Sequence, residues 1–188
     1  SGGVEWNIGM IGHTPFTCEP IFTAHLTAAD GTPILRMYEY ERLRGVTYQM
    51  DFSLPADSRL LLCRMRVCNC NNRTIPMYWW SNIAVPETPD RRVVIPADSS
   101  YYSYWNKIAK TPIPMRGNRD ATYPVNTECS MDYFFRLDEE KRRYIASLDK
   151  DGYGLIQTST RRLQGRKLFV WGQSEGGHTW QRFLTDKA

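Results

Sequence analysis

Two adjacent tryptophans, Trp79 and Trp80, lie in the stretch that most constrains the fold, Leu60 to Ala97. This stretch contains three runs of β-branched, aromatic and aliphatic residues, separated by an asparagine-rich turn and by proline, which is the pattern of consecutive short strands. Neighbouring side chains on a strand point to opposite faces of the sheet. One indole ring can therefore enter the core, whereas the other must be covered or remain as a platform. This second ring is the first functional clue.

Similar runs recur along most of the chain, and no stretch keeps a helical period over three turns. We therefore predict an all-β fold, an antiparallel β-sandwich of about ten strands. The 188 residues are expected to form a single β-sandwich domain or part of a longer one. Outside the opening stretch, the predicted strands are Phe22–Leu26, Ile34–Tyr40, Gly45–Phe52, Ser130–Leu137, Arg143–Leu148, Tyr153–Thr158 and Lys167–Trp171.

Three segments lack this alternation and are predicted to be irregular. Ser1 to Gly12 is rich in glycine and is expected to be loop-like. Asp98 to Asn126 contains several tyrosines and prolines and is expected to be an ordered loop laid across one face. Trp171 to Trp180 is interrupted by three glycines and is also expected to be a loop.

Composition and charge exclude several classes of protein. The net charge is +4 with the two signs interleaved, which is typical of a solvated surface and not of a nucleic-acid interface. No apolar run is long enough to span a bilayer, and no signal peptide is evident. The five cysteines lack metal-ligand spacing and are expected to be buried and reduced, which favours a cytoplasmic over a secreted protein. H-E-x-x-H, phosphate-loop and dinucleotide-binding motifs are also absent, and no metal or cofactor is predicted.

Three clusters combine tryptophan with charged or amide side chains. Sugars are bound by stacking on flat aromatic rings while carboxylates, amides, arginine and histidine hydrogen-bond their hydroxyl groups. The alternative, that the tryptophans are core residues and the glycines only form turns, stays open for each cluster. The clusters are Glu5-Trp6-Asn7, Trp79-Trp80-Ser81-Asn82, and Glu175 to Arg182 with Trp171, His178 and Trp180.

Glycoside hydrolysis requires two carboxyl groups across a sugar, and epimerisation at an anomeric carbon requires a general acid and a general base. For hydrolysis the candidates are Glu5 and Glu175, with Asp186 as a third. For epimerisation His178 can act with the nearby Glu175, and His13 is the alternative histidine. The predicted catalytic residues are therefore Glu5, Glu175 and His178, and the predicted sugar-binding residues are Trp6, Trp80, Asn82, Trp171, Trp180 and Arg182.

Four motifs, in this order, resemble an uncharacterised bacterial domain family of the galactose mutarotase-like superfamily, which often precedes tetratricopeptide repeats. They are GGVEWNIG (Gly2–Gly9), NRTIPMYWWSNIAVP (Asn72–Pro86), RRVVIPADSSYY (Arg91–Tyr102) and LFVWGQSEGGHTWQRFLTD (Leu168–Asp186). The resemblance implies a β-supersandwich whose concave face binds carbohydrate, related to aldose 1-epimerases and to sandwich domains of glycoside hydrolases. It also implies that Asn82 stands where epimerases carry an active-site histidine. Family members have further strands beyond both ends of this chain.

The sequence thus predicts a domain that binds or processes carbohydrate, as a glycoside hydrolase or an epimerase if it is catalytic. The alternative is a non-catalytic module that binds glycans or proteins beside flanking domains of a longer chain. A protein-interaction module would expose an apolar patch instead of a cleft with a polar rim.

Overall fold

The computed structural model describes residues 3–104 and 106–184. In these residues the secondary structure consists of fifteen β-strands, one 3-10 turn (Pro124–Asn126) and one α-helix, and every strand pairing is antiparallel. The predicted all-β class is confirmed. The elements are β1 (Val4–Ile8), β2 (Phe22–Thr27), β3 (Pro33–Glu41), β4 (Val46–Ser53), β5 (Leu62–Asn69), β6 (Trp79–Ile83), β7 (Arg92–Val94), β8 (Ser99–Tyr104), β9 (Lys107–Pro112), β10 (Met115–Arg116), β11 (Arg119–Asp120), β12 (Met131–Arg136), β13 (Tyr144–Leu148), β14 (Gly154–Thr158), β15 (Gly165–Val170) and α1 (Glu175–Leu184).

The described residues form two compact units. The first unit is Val4–Ile83, and the second comprises the residues from Ala84 onward together with Gly3. Each unit has its own sheets.

The first unit contains a four-stranded sheet in the order β2-β3-β4-β5 and a separate ribbon of β1 and β6. The strands of the sheet follow one another along the chain, so each pair is joined as a hairpin. At the predicted turn between β2 and β3, Gly31 has φ +86°, and the backbone N–H of Thr32 donates to Oδ1 of Asp30 at 3.0 Å. Val46 and Met50 of β4 are buried, as the alternation of that strand predicts.

The second unit has two main sheets, in the orders β15-β12-β8-β9 and β14-β13-β7. Its core contains Tyr133 and Phe135 of β12 and Val170 of β15, and Ile145 of β13 packs against them from the other sheet. Apolar side chains of two sheets share one core, which is the arrangement of a β-sandwich.

Two of the predicted loops are largely strands, and those predictions are wrong. Residues 4–8 form β1, because the glycines that suggested a loop flank this strand and do not interrupt its alternation of Val4, Trp6 and Ile8 with polar residues. Residues 98–126 contain β8 to β11, and β8, which consists only of serines and tyrosines, pairs with β9 along its length. Trp105, which the sequence places in this segment, lies outside the described residues.

The third predicted loop is also wrong in part, because residues 175–184 form α1. Ser174 precedes the helix, and its Oγ accepts the backbone N–H of Gly177 at 3.3 Å, as an N-terminal cap does. Glu175 in the first turn complements the helix dipole. These local interactions offset the low helix propensity of Gly176 and Gly177.

The observed burial of the cysteines differs from the prediction. Cys18, Cys70 and Cys129 are exposed, so the prediction of buried thiols is wrong for these three residues. Cys63 is half-buried, and the loss of hydration raises the pKa of its thiol to about 11. In the described residues no helix is long and apolar enough to cross a membrane.

Arg166 anchors a loop of the second unit and gives a first testable prediction. Its side chain is 8% exposed and donates to the carbonyl oxygens of Arg143 (2.7 Å), Gly165 (2.7 Å) and Leu163 (3.3 Å) and to Oγ of Ser159 (2.5 Å). We expect Arg166→Ala to lower the free energy of unfolding by about 2–3 kcal/mol, because four hydrogen bonds are lost and the buried carbonyl oxygen of Arg143 is left without this donor. Urea denaturation followed by circular dichroism measures this loss.

Arg162→Ala is the matched control, since Arg162 lies in the same loop but is exposed. We expect it to change stability by less than about 0.5 kcal/mol. Equal effects of the two substitutions would show that the buried hydrogen bonds do not hold the loop.

Candidate functional site

The ribbon of β1 and β6 positions the residues that the sequence singles out in the first unit. Its antiparallel register places Glu5 directly opposite Asn82, and Trp6 opposite Ser81. Side chains alternate between the two faces of the ribbon, so Glu5, Trp80 and Asn82 lie on one face. Trp6 and Trp79 lie on the other.

The Glu5 carboxylate is held by two side chains. Nδ2 of Asn82 donates to Oε2 of Glu5 at 2.6 Å. Nδ1 of His13 lies 2.9 Å from Oε1 and 2.8 Å from Oε2, which fits a protonated Nδ1 donating to the carboxylate. The Glu5 side chain is 23% exposed and that of His13 is 67% exposed. The carboxylate is therefore fixed in orientation and still reachable from solvent.

Trp80 lies on the same face of the ribbon as Glu5 and contacts His13. Its Nε1–H donates to the carbonyl oxygen of Gly12 at 3.0 Å, and the His13 ring meets its ring edge-on at a centroid distance of 5.1 Å. Trp80 is half-buried. We refer to Glu5, His13, Trp80 and Asn82 as the ribbon site, in which a carboxylate, an imidazole, an amide and an indole ring lie together.

The segment between β1 and His13 turns back onto the ribbon through its glycines. Gly9 and Gly12 have φ of +81° and +116°, a region that glycine occupies without strain. Asn7 is completely buried, and its Oδ1 accepts the backbone N–H of Thr14 at 2.7 Å. The carbonyl oxygen of Gly9 accepts Nε–H of Arg44 at 2.8 Å. These bonds bring His13 to Glu5.

Trp6 is not part of the ribbon site. It stacks on Trp79 at 5.7 Å with an interplanar angle of 25°, and its ring meets Phe52 edge-on at 5.5 Å. The adjacent tryptophans Trp79 and Trp80 thus point to opposite faces, as their positions on a strand predict.

The remaining predicted residues lie in the second unit, on or near α1. The rings of Trp171 and Trp180 stack at 5.9 Å with an angle of 18°, so the structure brings these two together. Glu175, His178 and Arg182 are exposed, and their spacing of three and four residues places them along one side of the helix. In the described part of the chain, no hydrogen bond joins Glu175 to His178.

Sequence reasoning missed one carboxylate beside these aromatic residues. Oε1 of Glu87 accepts the backbone N–H of Trp171 at 2.7 Å, and Oε2 lies 3.5 Å from Nε2 of Gln173. Glu87 follows Pro86 in an irregular segment, and nothing in its immediate sequence marks it as a partner of Trp171. Its contacts with the backbone of Trp171 and the side chain of Gln173 indicate that it holds the turn before α1.

The predicted pair of carboxyl groups, Glu5 and Glu175, is divided between the two units. Asp186, the third carboxylate candidate, lies outside the described residues. The ribbon site is the place where the structure joins the most predicted residues in one hydrogen-bonded cluster.

Comparison with known protein families gives a match to a family model. No solved structure matches the chain. The matching model is described as a domain of unknown function (DUF5107), and it covers residues 1–188. Because this match extends over the whole sequence, the chain belongs to the DUF5107 family.

Proposed function

We propose that the first unit binds carbohydrate at the ribbon site. The observation that supports this most strongly is the Glu5 carboxylate, fixed by Asn82 and His13 beside the ring of Trp80. Indole rings stack on the C–H faces of sugars, and carboxylate, amide and imidazole groups bind sugar hydroxyls. All four groups occur within one cluster.

The hydrogen bonds of Glu5 leave room for a ligand. A carboxylate offers about four acceptor positions, and the contacts from His13 and Asn82 concentrate on Oε2. Among the described residues, Oε1 receives only the longer contact from His13. A sugar hydroxyl can therefore donate to Oε1 without displacing Asn82.

Binding without hydrolysis is the form of the proposal that the ribbon site favours. Hydrolysis uses two carboxyl groups roughly 5 to 10 Å apart, whereas the ribbon site as defined contains one. We further propose that the domain has the galactose mutarotase-like fold, with this site on its concave face, and that it acts beside flanking domains.

Anomeric epimerisation is the second candidate, favoured by the contact between Glu5 and His13. The reaction opens a sugar ring by removing a proton from the anomeric hydroxyl and protonating the ring oxygen. Glu5 can serve as the base, and the exposed His13 ring can supply the proton. In this candidate His13 takes the role that the sequence assigns to His178.

Titration calorimetry against a panel of mono- and oligosaccharides tests the proposal. We expect wild-type protein to bind at least one sugar, and Glu5→Gln to raise its Kd about tenfold or more, because a charge-assisted hydrogen bond is lost. Glu19→Gln is the matched control, since Glu19 is exposed in the same unit. Absence of binding, or equal affinity in Glu5→Gln and wild type, would contradict the proposal.

Polarimetry of a freshly dissolved single anomer separates the two candidates. If the site is an epimerase, wild-type protein will accelerate the change in rotation, and both Glu5→Gln and His13→Ala will abolish the acceleration. If it only binds, the rate will equal that of buffer although calorimetry shows binding.

A further inference from the structure

The second unit contains a cleft of about 350 Å³ beside the β10–β11 hairpin. It is lined by the hairpin and by the segment that leads into β12, including Arg116, Arg119 and Glu128. We propose that this cleft binds a small organic molecule that carries an oxyanion, such as a phosphate, sulfate or carboxylate group. The proposal does not rest on the ribbon site, which belongs to the other unit.

The hairpin places two positive charges at the cleft. β10 and β11 pair antiparallel, with Arg116 directly opposite Arg119 across a two-residue turn of Gly117 and Asn118. Gly117 has φ +62°, which allows the tight turn. Like charges directly opposite each other on paired strands are unfavourable. An anion bound between them would remove this repulsion.

The Arg116 guanidinium is fixed in place without a carboxylate partner. It lies 4.5 Å from the centre of the Tyr102 ring, in a cation–π contact. Its Nη1 lies 2.7 Å from Sδ of Met131 and 3.4 Å from the hydroxyl of Tyr133. Among residues 3–104 and 106–184, no acidic side chain lies within ion-pair distance of Arg116. Arg116 is therefore a half-buried cation that faces the cleft with only weak acceptors.

Arg119 has a carboxylate partner, but the contact is weak. It lies 4.0 Å from Glu128, and both side chains are mostly exposed. With two arginines and one glutamate, the lining residues carry a formal charge of +1. A bound oxyanion can therefore replace Glu128 at Arg119 while it pairs with Arg116.

The size of the cleft indicates that the oxyanion belongs to a larger molecule. Pockets for small organic ligands begin at roughly 300 Å³, and a bare phosphate fills only a small part of this space. The exposed amides of Asn118 and Asn126 also line the cleft and can bind polar groups on the rest of the ligand.

Calorimetric titration with inorganic phosphate, against chloride at equal ionic strength, tests the anion site. We expect Arg116→Gln to weaken phosphate binding about tenfold or more, because a bidentate guanidinium contact is lost. Glu128→Gln should strengthen binding, since it removes a competing negative charge. The exposed Arg162, replaced in Arg162→Gln, is the control and should leave the affinity unchanged.

The two substitutions are expected to change the phosphate affinity in opposite directions. Glu128→Gln therefore still tests the proposal if Arg116→Gln folds poorly. Failure of wild-type protein to bind phosphate above the chloride background would overturn the proposal. So would a Glu128→Gln variant that binds phosphate more weakly than wild type.

Alkylation of Cys129 locates the bound anion. Cys129 is exposed and lines the cleft, so phosphate should slow its reaction with neutral iodoacetamide while the exposed Cys18 of the first unit reacts at an unchanged rate. Mass spectrometry of peptides reports both rates. Equal protection of the two thiols, or of neither, would place the anion elsewhere.

A hexose phosphate and a neutral hexose, tested by the same protection of Cys129, identify the ligand class. If the ligand is organic, the hexose phosphate will protect at lower concentration than inorganic phosphate, and the neutral hexose will not protect. Equal potency of hexose phosphate and inorganic phosphate would overturn the organic part of the proposal. This readout is independent of sugar bound at Glu5.

Discussion

Gly177→Ala is expected to destabilise the second unit by about 3 kcal/mol, because it forces α1 away from the preceding loop. A Cβ atom at Gly177 would lie 2.2 Å from the carbonyl oxygen of Gly172 and 2.6 Å from that of Trp171. Both are backbone atoms, so no side-chain rotation relieves the clash. The helix must shift, and the cap at Ser174 and the stacking of Trp180 on Trp171 are disturbed with it.

Gly176→Ala is the matched control and should change the stability in the opposite direction. A Cβ at Gly176 meets nothing closer than Oγ of Ser174 at 4.0 Å. The added methyl reduces the entropy of the unfolded chain and should raise stability by about 0.5–1 kcal/mol. Urea denaturation measures both changes, and near-ultraviolet circular dichroism reports the tryptophan pair. If Gly177→Ala were as stable as Gly176→Ala, the helix would not be docked at this glycine.

The strands could be predicted from the sequence because their side chains alternate. β3 and β4 show this alternation clearly, and the Asp30-Gly31 turn fixes the hairpin of β2 and β3. The division of Trp79 and Trp80 between two faces also follows from the period of a strand. These features depend on neighbours in sequence, which a single sequence shows directly.

α1 could not be predicted in the same way, because its glycines have low helix propensity. Gly177 is required by the close approach to residues 171 and 172, which is a tertiary constraint. A single sequence does not distinguish a glycine that close packing of a helix requires from a glycine in a loop. The serine before Glu175 was the available signal, since it can cap a helix.

The residues of the candidate site could be predicted from the sequence, but the contacts between them could not. The aromatic and polar clusters pointed to Glu5, Trp80 and Asn82, yet the register that joins Glu5 to Asn82 connects residues 77 positions apart. The contact of His13 with Glu5 depends on the turn after β1, whose course is set by the buried Asn7. The sequence does not mark Arg116 and Arg119 as functional residues, because isolated arginines are common on protein surfaces.

Tyr133→Ala is expected to cost about 3–5 kcal/mol, the largest effect that we predict for a single side chain in this protein. Tyr133 is 1% exposed and is the largest fully buried side chain among the described residues. It packs with Phe135, Ala121 and Val170 in the core of the second unit. Removal of its ring leaves a cavity in this core, and β12 cannot move to fill it without breaking its pairing with β15 and β8.

Tyr133→Phe separates the ring from its hydroxyl. The hydroxyl lies 3.5 Å from Oγ1 of Thr127 and 3.4 Å from Nη1 of Arg116, distances at the long end for hydrogen bonds. We therefore expect a loss of no more than about 1 kcal/mol in urea denaturation. A loss in Tyr133→Phe close to that in Tyr133→Ala would mean that the hydroxyl contacts, and not the packed ring, stabilise this core. Because the same hydroxyl contacts Arg116, Tyr133→Phe also shows whether the core holds that guanidinium at the cleft. If it does, phosphate affinity will fall in this variant while the fold remains intact.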